Sequence, residues 1–134
     1  MPGSYEIDST QNLIKTYSSG VVTVGDKIAQ DEAILADPNF KKNMNSMCDL
    51  SKATYDWNLE DIDKFRNFVR RIGPQMGKSK WAIICAGGAT EHTARIFSVL
   101  QSACDNIVSV KIFTNRDRAM EWLKKIDLIE SDVV

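Results

Sequence analysis

A cysteine and the only histidine are the side chains of this sequence best suited to catalysis. Cys85 follows the apolar run 81–84 and precedes Gly87-Gly88, an arrangement in which a strand-to-helix turn can lower the pKa of a thiol. Phosphate chemistry on such a thiolate needs an arginine six residues later to clamp the substrate. That position holds Glu91, whose negative charge would repel a phosphate. We therefore expect Cys85 to be a buried strand residue.

His92 is expected in the first turn of a helix, where the positive end of the helix dipole disfavours the protonated imidazole. The sequence has no G-x-S-x-G turn that would supply a serine nucleophile beside it. A surface histidine is the simpler interpretation. An uncharacterised enzyme that uses Cys85 or His92 is kept as the third functional hypothesis.

Metal binding is not favoured by the spacing of the candidate ligands. Cys48, Cys85, Cys104 and His92 are far apart along the chain, whereas structural zinc sites usually take their ligands from close pairs. The acidic cluster at 60–63 falls at an expected helix start, where the helix dipole favours negative charge without any ligand. The sequence therefore predicts no metal, no cofactor and no disulfide.

Two loops carry the best candidates for binding. In open α/β sheets, ligands and partners use the crevice beyond the carboxyl ends of the strands, and both loops follow expected strands and lead into helices. The candidate residues are Asp49, Ser51, Thr54, Asn58, Gly87, Gly88, Thr90 and His92. Together they could receive an anion or an acidic group of a partner. The alternative is that both loops only cap the helices that follow them. Capping would explain Asn58 and Thr90, but it would not explain the paired glycines.

The elements that position these loops follow from hydrophobic periodicity and turn residues. Apolar strands at 81–86 and 106–113, separated by a helix, indicate a parallel βαβ unit. The other expected strands are 5–8 and 13–17, paired as an antiparallel hairpin, and the less regular segment 43–50. The element order is β-β-α-β-α-β-α-β-α. The sequence thus predicts an α/β protein with a mixed sheet of about five strands and four helices.

Capping residues and apolar stripes define the four helices. The first, 24–36, begins with a capping box of Thr23 and Asp26 and ends before Pro38. The second begins at the N-cap Asn58 and is expected to close at Gly73-Pro74; the third starts at the N-cap Thr90, and the fourth at a capping box of Thr114 and Asp117. The predicted buried stripes are Val24, Ile28 and Leu35; Leu59, Ile62, Phe65, Val69 and Ile72 with Phe68 beside them; Ile96, Phe97, Leu100 and Cys104; and Ala119, Trp122, Leu123 and Ile126.

Size and charge limit the class of protein further. A chain of 134 residues with a net charge of −1 is expected to be one domain with a core at about 5–126 and a tail at 127–134, and it lacks the basic surface that nucleic-acid binding favours. No apolar run is long enough to span a membrane. The first residues lack a signal-peptide pattern, and Pro2 excludes N-myristoylation. A cytoplasmic protein is therefore expected.

Five short segments carry a resemblance to a known family. They are Gly20-Val-Val-Thr23, Asp37-Pro-Asn-Phe40, Asp49-Leu50-Ser51, Arg95-Ile-Phe97, and Phe113 followed by Ala119-Met-Glu-Trp122-Leu123. In their order and spacing the chain, from about Tyr5 to Ile126, resembles the SpoIIAA-like branch of the STAS domains, the fold of bacterial anti-sigma-factor antagonists. In antagonist members a serine at the start of the second helix is phosphorylated by a partner kinase. The matching segment here, 56–59, has no hydroxyl, and Ser51 and Thr54 lie upstream of that position.

The resemblance implies a non-enzymatic bacterial signalling or binding module, which is the leading hypothesis. Its expected partner is a protein or a small ligand held by the loops 51–58 and 87–92. The second hypothesis is a carrier of small apolar or lipid-like ligands, with a pocket between the sheet and the helices that bear Phe65, Phe68 and Phe97. A homodimer formed through an edge strand or an exposed helix is also compatible with the sequence.

Overall fold

The structure, a computed structural model, describes residues 3–104 and 107–125. Its elements occur in the predicted order β-β-α-β-α-β-α-β-α. They are β1 (Gly3–Asp8), β2 (Leu13–Val21), α1 (Val24–Ala36), β3 (Asn45–Thr54), α2 (Leu59–Met76), β4 (Ser79–Ile84), α3 (Gly88–Cys104), β5 (Val108–Phe113) and α4 (Arg116–Lys124). The predicted α/β class is confirmed.

One five-stranded sheet in the order β1-β2-β3-β4-β5 forms the centre of the molecule. β1 and β2 pair antiparallel, with Asp8 opposite Leu13 beside the hairpin turn, as predicted. β2, β3, β4 and β5 are parallel neighbours, so their carboxyl ends lie at one edge. β3 pairs with β4 only over residues 46–49 and continues beside β2 to Thr54. This edge is therefore uneven, and the end of β3 projects beyond β4.

The two faces of the sheet are covered differently. The larger core lies under α1, α2 and α3 and contains most of the buried apolar side chains, including Met44, Ile62, Val69 and Phe97. On the other face, α4 is the one helix of the described residues that packs on β3, β4 and β5, and it buries Ala119 and Leu123 in a smaller core. Within residues 3–104 and 107–125, no helix packs on the β1–β2 end of that second face, where a groove lies beside α4.

The helix ends follow the sequence in part. The Thr23–Asp26 capping box and the Asn58 N-cap are both present. The prediction that Gly73-Pro74 closes α2 is wrong, because the helix continues to Met76 with Pro74 inside it. One way in which proline disfavours a helix is a clash with the Cβ of the preceding residue, and Gly73 has no Cβ. Gly77 ends the helix at a φ of 74°, where an added Cβ would collide with Asn43.

Two predicted N-caps are misplaced. α3 begins at Gly88, because Gly87 and Gly88 turn the chain at positive φ, so Thr90 lies inside the helix. α4 is capped by Asn115, whose carboxamide oxygen accepts from the amides of Asp117 and Arg118. Asparagine ranks above threonine as an N-cap, which explains why Thr114 is not used.

The predicted buried stripes also need correction. On α1 the buried residues are Val24, Lys27, Gln30, Asp31 and Ile34, whereas Ile28 and Leu35 are only half-buried. Leu59 is 64% exposed, because side chains on a helix lean toward its N-terminus and this first residue points past the helix end. Ile96, Leu100 and Trp122 are half-buried. The predictions for the Cys104 side chain, Asn106 and Ile126 lie outside the described residues.

Candidate functional site

A concave, mainly polar surface lies toward the carboxyl ends of β2 and β3. We call it the β2–β3 groove; it encloses about 500 Å³ and is lined mainly by polar groups. Its residues are Gly3, Ser4, Tyr17, Ser18, Ser19, Asp49, Ser51 and Lys52. Two of the predicted site residues, Asp49 and Ser51, therefore lie together in it. Its position fits the rule that open α/β sheets bind ligands beyond the carboxyl ends of their strands.

Asp49 is the fixed charge of the groove. The Ser51 hydroxyl donates to Asp49 Oδ1 at 2.6 Å and the Ser51 amide at 3.0 Å, while Arg116 Nη2 donates to Oδ2 at 2.8 Å. Partial burial opposes ionisation, but the Ser51 and Arg116 hydrogen bonds hold the pKa of Asp49 below its usual range. Asp49 is therefore a carboxylate whose hydrogen bonds orient Ser51 and Arg116.

Arg116 and Tyr17 belong to this site although the sequence reasoning missed them. Arg116 is the first residue of α4, directly after the β5 turn, and its guanidinium lies 5.7 Å from the centre of the Tyr17 ring. Half of the Arg116 side chain stays exposed. The rule that pointed to the loops after β3 and β4 applies equally to the loop after β5, so it could have found Arg116. Tyr17 gave no comparable signal.

The other predicted residues form a second region, which we call the rim: the β3–α2 loop and the start of α3. The Thr90 hydroxyl accepts from the Tyr55 amide at 3.0 Å and donates to the Ala53 carbonyl at 2.9 Å. The Thr93 hydroxyl donates to the Tyr55 carbonyl at 2.7 Å and accepts from the Trp57 amide at 3.4 Å. The two loops are thus joined, as expected, but by buried hydroxyls that satisfy backbone groups.

The remaining rim residues have local roles or face solvent. Asn58 caps α2 by accepting from the Asp61 amide at 2.8 Å. Thr54, Gly88 and His92 are exposed, and an added Cβ would meet no atom within 4 Å at Gly87 or Gly88. Among the described residues, none of the rim side chains lines the β2–β3 groove. The eight predicted site residues are therefore divided between a groove and a rim.

The surroundings of Cys85 do not favour a reactive thiolate. Its side chain is buried, and its pKa is raised to about 11, first by desolvation and then by the negative charge of Glu91. Within residues 3–104 and 107–125, no group of three or more His, Cys, Asp or Glu side chains is placed to hold a metal ion. In the same ranges, no helix is long and apolar enough to cross a membrane.

A small cavity lies between the sheet and α2 and α3, at the place predicted for an apolar pocket. It measures about 40 Å³, and only apolar surface faces it. Phe65 and Phe97, with ring centres 5.1 Å apart, are among its walls. Phe68 packs 6.1 Å from Phe65 and is not one of the described residues that line the cavity. Pockets for drug-sized ligands measure roughly 300–1,000 Å³, so this cavity in its present form takes only a guest of a few atoms.

These features define a mixed α/β protein with a SpoIIAA-like fold, three helices on one face of the sheet and one on the other. Among solved structures, the chain is similar to an uncharacterised protein of the DUF3478 family with a SpoIIAA-like fold from Shewanella loihica PV-4. The TM-score is 0.60 and the sequence identity 19%, over 90% of this chain and 93% of that chain. No protein-family model and no curated protein matches the chain. At this identity the likeness establishes the fold alone.

Proposed function

We propose that this protein is a non-enzymatic binding module of SpoIIAA-like fold that contacts a protein partner or a small ligand through the β2–β3 groove. The observation that carries the proposal is the polar groove of about 500 Å³ at the carboxyl ends of the strands. Lys52 and Ser51 are exposed in it, and the Arg116–Asp49 pair extends it toward α4.

The charges of the groove favour an acidic group on the partner or ligand. Asp49 is neutralised by Arg116 at 2.8 Å, which leaves the exposed ammonium of Lys52 and several hydroxyls as available donors. A carboxylate or phosphate would gain charge-assisted hydrogen bonds from such donors. A catalytic role is not supported here, because the Asp49 carboxylate is held ionised by the Ser51 and Arg116 hydrogen bonds and cannot act as a general acid near neutral pH.

The rim supports the same proposal as a second contact region. Gly87 and Gly88 leave open space beside the α3 N-terminus, and Thr54, Asn58 and His92 are exposed near it. A protein partner could cover both the groove and the rim, whereas a small ligand would occupy the groove. Homodimerisation through an edge strand and a cytoplasmic location remain predictions.

Charge reversal at Lys52 tests the proposal. The tagged wild-type protein is used to capture partners from a cell lysate, with native mass spectrometry to detect small ligands. We expect Lys52→Glu to weaken binding of whatever is retained by about tenfold or more, because like charges brought together in an interface are strongly unfavourable. The matched control is Lys41→Glu, an exposed lysine at the opposite, amino end of β3. Equal binding by both variants, or no bound partner or ligand at all, would contradict the proposal.

The apolar-ligand hypothesis is kept as a second candidate, and a small apolar cavity between the sheet and α2 and α3 supports it. Its lining of Leu50, Phe65, Ile83 and Phe97 is suitable for an apolar guest. Its volume of about 40 Å³ is too small for an acyl chain unless the aromatic side chains move apart. We therefore restrict the apolar-ligand hypothesis to ligands of a few atoms.

A further inference from the structure

The buried face of α1 is unusually polar. Lys27 and Asp31 are only 7% and 9% exposed, and Lys27 Nζ donates to Asp31 Oδ1 at 3.1 Å and to Gln30 Oε1 at 3.4 Å. Burial opposes the charge on Lys27, but Asp31 beside it keeps the pKa of the ammonium raised. The helix therefore places a compact ion pair, neutral overall, against the sheet.

Three buried polar atoms in the same region have no hydrogen-bond partner within the described part of the chain. They are Asp31 Oδ2 on α1, Thr16 Oγ1 on β2 and Trp81 Nε1 on β4. Thr16 is 2% exposed and Trp81 is 5% exposed. An unsatisfied buried donor or acceptor is strongly unfavourable, and three of them from three elements indicate a shared partner that is not a protein group.

One cavity brings these three residues together. It measures about 20 Å³ and is lined by Thr16, Asp31 and Trp81, with Ile34 and Met76 among its other walls. A water molecule needs roughly 10–15 Å³ of such space and two to four polar partners. The cavity meets both conditions. A free ion is not favoured, because the Lys27–Asp31 pair already balances its own charge.

We propose that this cavity is a hydration site that holds one internal water molecule between α1, β2 and β4. The water donates to Asp31 Oδ2, accepts from Trp81 Nε1 and shares a hydrogen bond with the Thr16 hydroxyl. It thereby links the buried face of the helix to two strands of the sheet. The neighbouring apolar cavity of about 40 Å³ is expected to remain dry, because cavities with apolar walls do not hold ordered water.

The test combines a direct observation with a matched pair of variants. A high-resolution crystal structure of the wild-type protein, or water magnetic relaxation dispersion in solution, is expected to show one long-lived water at Thr16, Asp31 and Trp81. Thr16→Val keeps the shape and removes the hydroxyl, so it should raise the unfolding equilibrium constant about fivefold. The control is Ser79→Ala, since Ser79 Oγ is also buried and has no hydrogen-bond partner among the described residues. Ser79 does not belong to the described residues that line this cavity. Ser79→Ala is expected to leave stability unchanged or to increase it.

The direction of the stability change caused by Thr16→Val shows whether the cavity holds a water molecule. Without a bound water, removal of an unsatisfied hydroxyl would stabilise the protein in both variants. The hydration site is therefore excluded by a stabilised Thr16→Val protein, or by a wild-type structure without a water in the cavity. If Thr16→Val does not fold, Trp81→Phe serves in its place; it replaces the bicyclic indole by a smaller ring that has no N–H donor. Loss of the long-lived water from the Trp81→Phe variant would support the hydration site. A water that remains in the cavity with unchanged mobility would contradict it.

Discussion

Cys85 lies one residue past the end of β4, and its amide still donates to the Phe113 carbonyl at 3.0 Å. This continuation of the strand ladder keeps the side chain in the larger core, where it is 1% exposed. Reactive cysteines instead lie in electropositive, accessible surroundings that lower the thiol pKa. Here desolvation and Glu91 act in the opposite direction and raise the pKa of Cys85 to about 11. Cys85 is therefore a buried residue at the end of a strand, although nucleophilic cysteines can occupy the same kind of position in a sequence.

We predict that Cys85 does not react with iodoacetamide or a disulfide reagent at pH 7 in the folded protein. The thiol is protonated and enclosed at that pH, and the thiolate is the reactive form. Alkylation followed by peptide mass spectrometry gives the modified fraction for each cysteine, and the protein unfolded in guanidinium is the control in which Cys85 should be fully modified. Rapid modification of Cys85 in the folded state would reopen the enzymatic hypothesis.

Ionisation of the Cys85 thiol also makes the free energy of unfolding depend on pH, and the direction of this dependence follows from the pKa of the thiol. In the unfolded chain the thiol ionises near its ordinary value of 9.0, whereas in the folded protein its pKa is about 11. The stabilisation that comes from the buried, neutral thiol is complete below the pKa of the unfolded chain. It is lost as the pH rises through the pKa of the folded protein. The free energy of unfolding should therefore fall between about pH 9 and pH 11, and less steeply in Cys85→Ala.

At the scale of elements, the N-terminus of α3 and the β3–α2 loop are held together by two hydroxyls. Thr90 and Thr93 are 6% and 4% exposed, and between them they bond backbone groups of Ala53, Tyr55 and Trp57. Backbone groups in a buried loop need such partners because they have no strand or helix ladder of their own. The rim is therefore held in a fixed position relative to α3.

We predict that Thr90→Val and Thr93→Val each lower the free energy of unfolding by about 1–3 kcal/mol, because each leaves buried backbone groups without a hydrogen bond. Chemical denaturation measures this change. Thr54→Val is the control, since Thr54 is exposed in the same segment and should change stability by less than about 0.5 kcal/mol. Equal stability of all three variants would show that the two hydroxyls do not hold the loops together.

The helices also show where sequence reasoning succeeds and fails. The capping box of Thr23 and Asp26 correctly predicted where α1 begins, because a cap depends on neighbouring residues only. The predicted buried stripe of α1 is correct at Val24 but wrong at Ile28 and Leu35, which are half-buried. Lys27 is buried only with Asp31 one turn later, and a charge without such a partner would not be buried. Periodicity alone does not reveal that pairing.

At the scale of the whole molecule, the groove exists because the sheet is covered unequally. Among the described residues, α1, α2 and α3 pack on one face, and α4 packs mainly on β3, β4 and β5 on the other. The sequence predicted all nine elements, and the carboxyl-edge rule led to Asp49 and Ser51. It did not predict the contribution of Tyr17, Lys52 and Arg116. Their proximity depends on which face each crossover helix takes, and this is set by the twist of the folded sheet.

The packing of the interior distinguishes binding through the β2–β3 groove from the carriage of apolar ligands. Because the apolar cavity measures about 40 Å³, we predict that the purified protein carries no acyl-chain lipid and that xenon under pressure binds in this cavity. Native mass spectrometry would detect a co-purified lipid, and a xenon-derivatised crystal would show the gas atom beside Phe65 and Phe97. Phe97→Ala enlarges the cavity and should destabilise the protein by about 3–5 kcal/mol while increasing its capacity for apolar guests. A lipid bound to the wild-type protein would mean that the aromatic side chains open, and the carrier hypothesis would then replace the groove as the leading one.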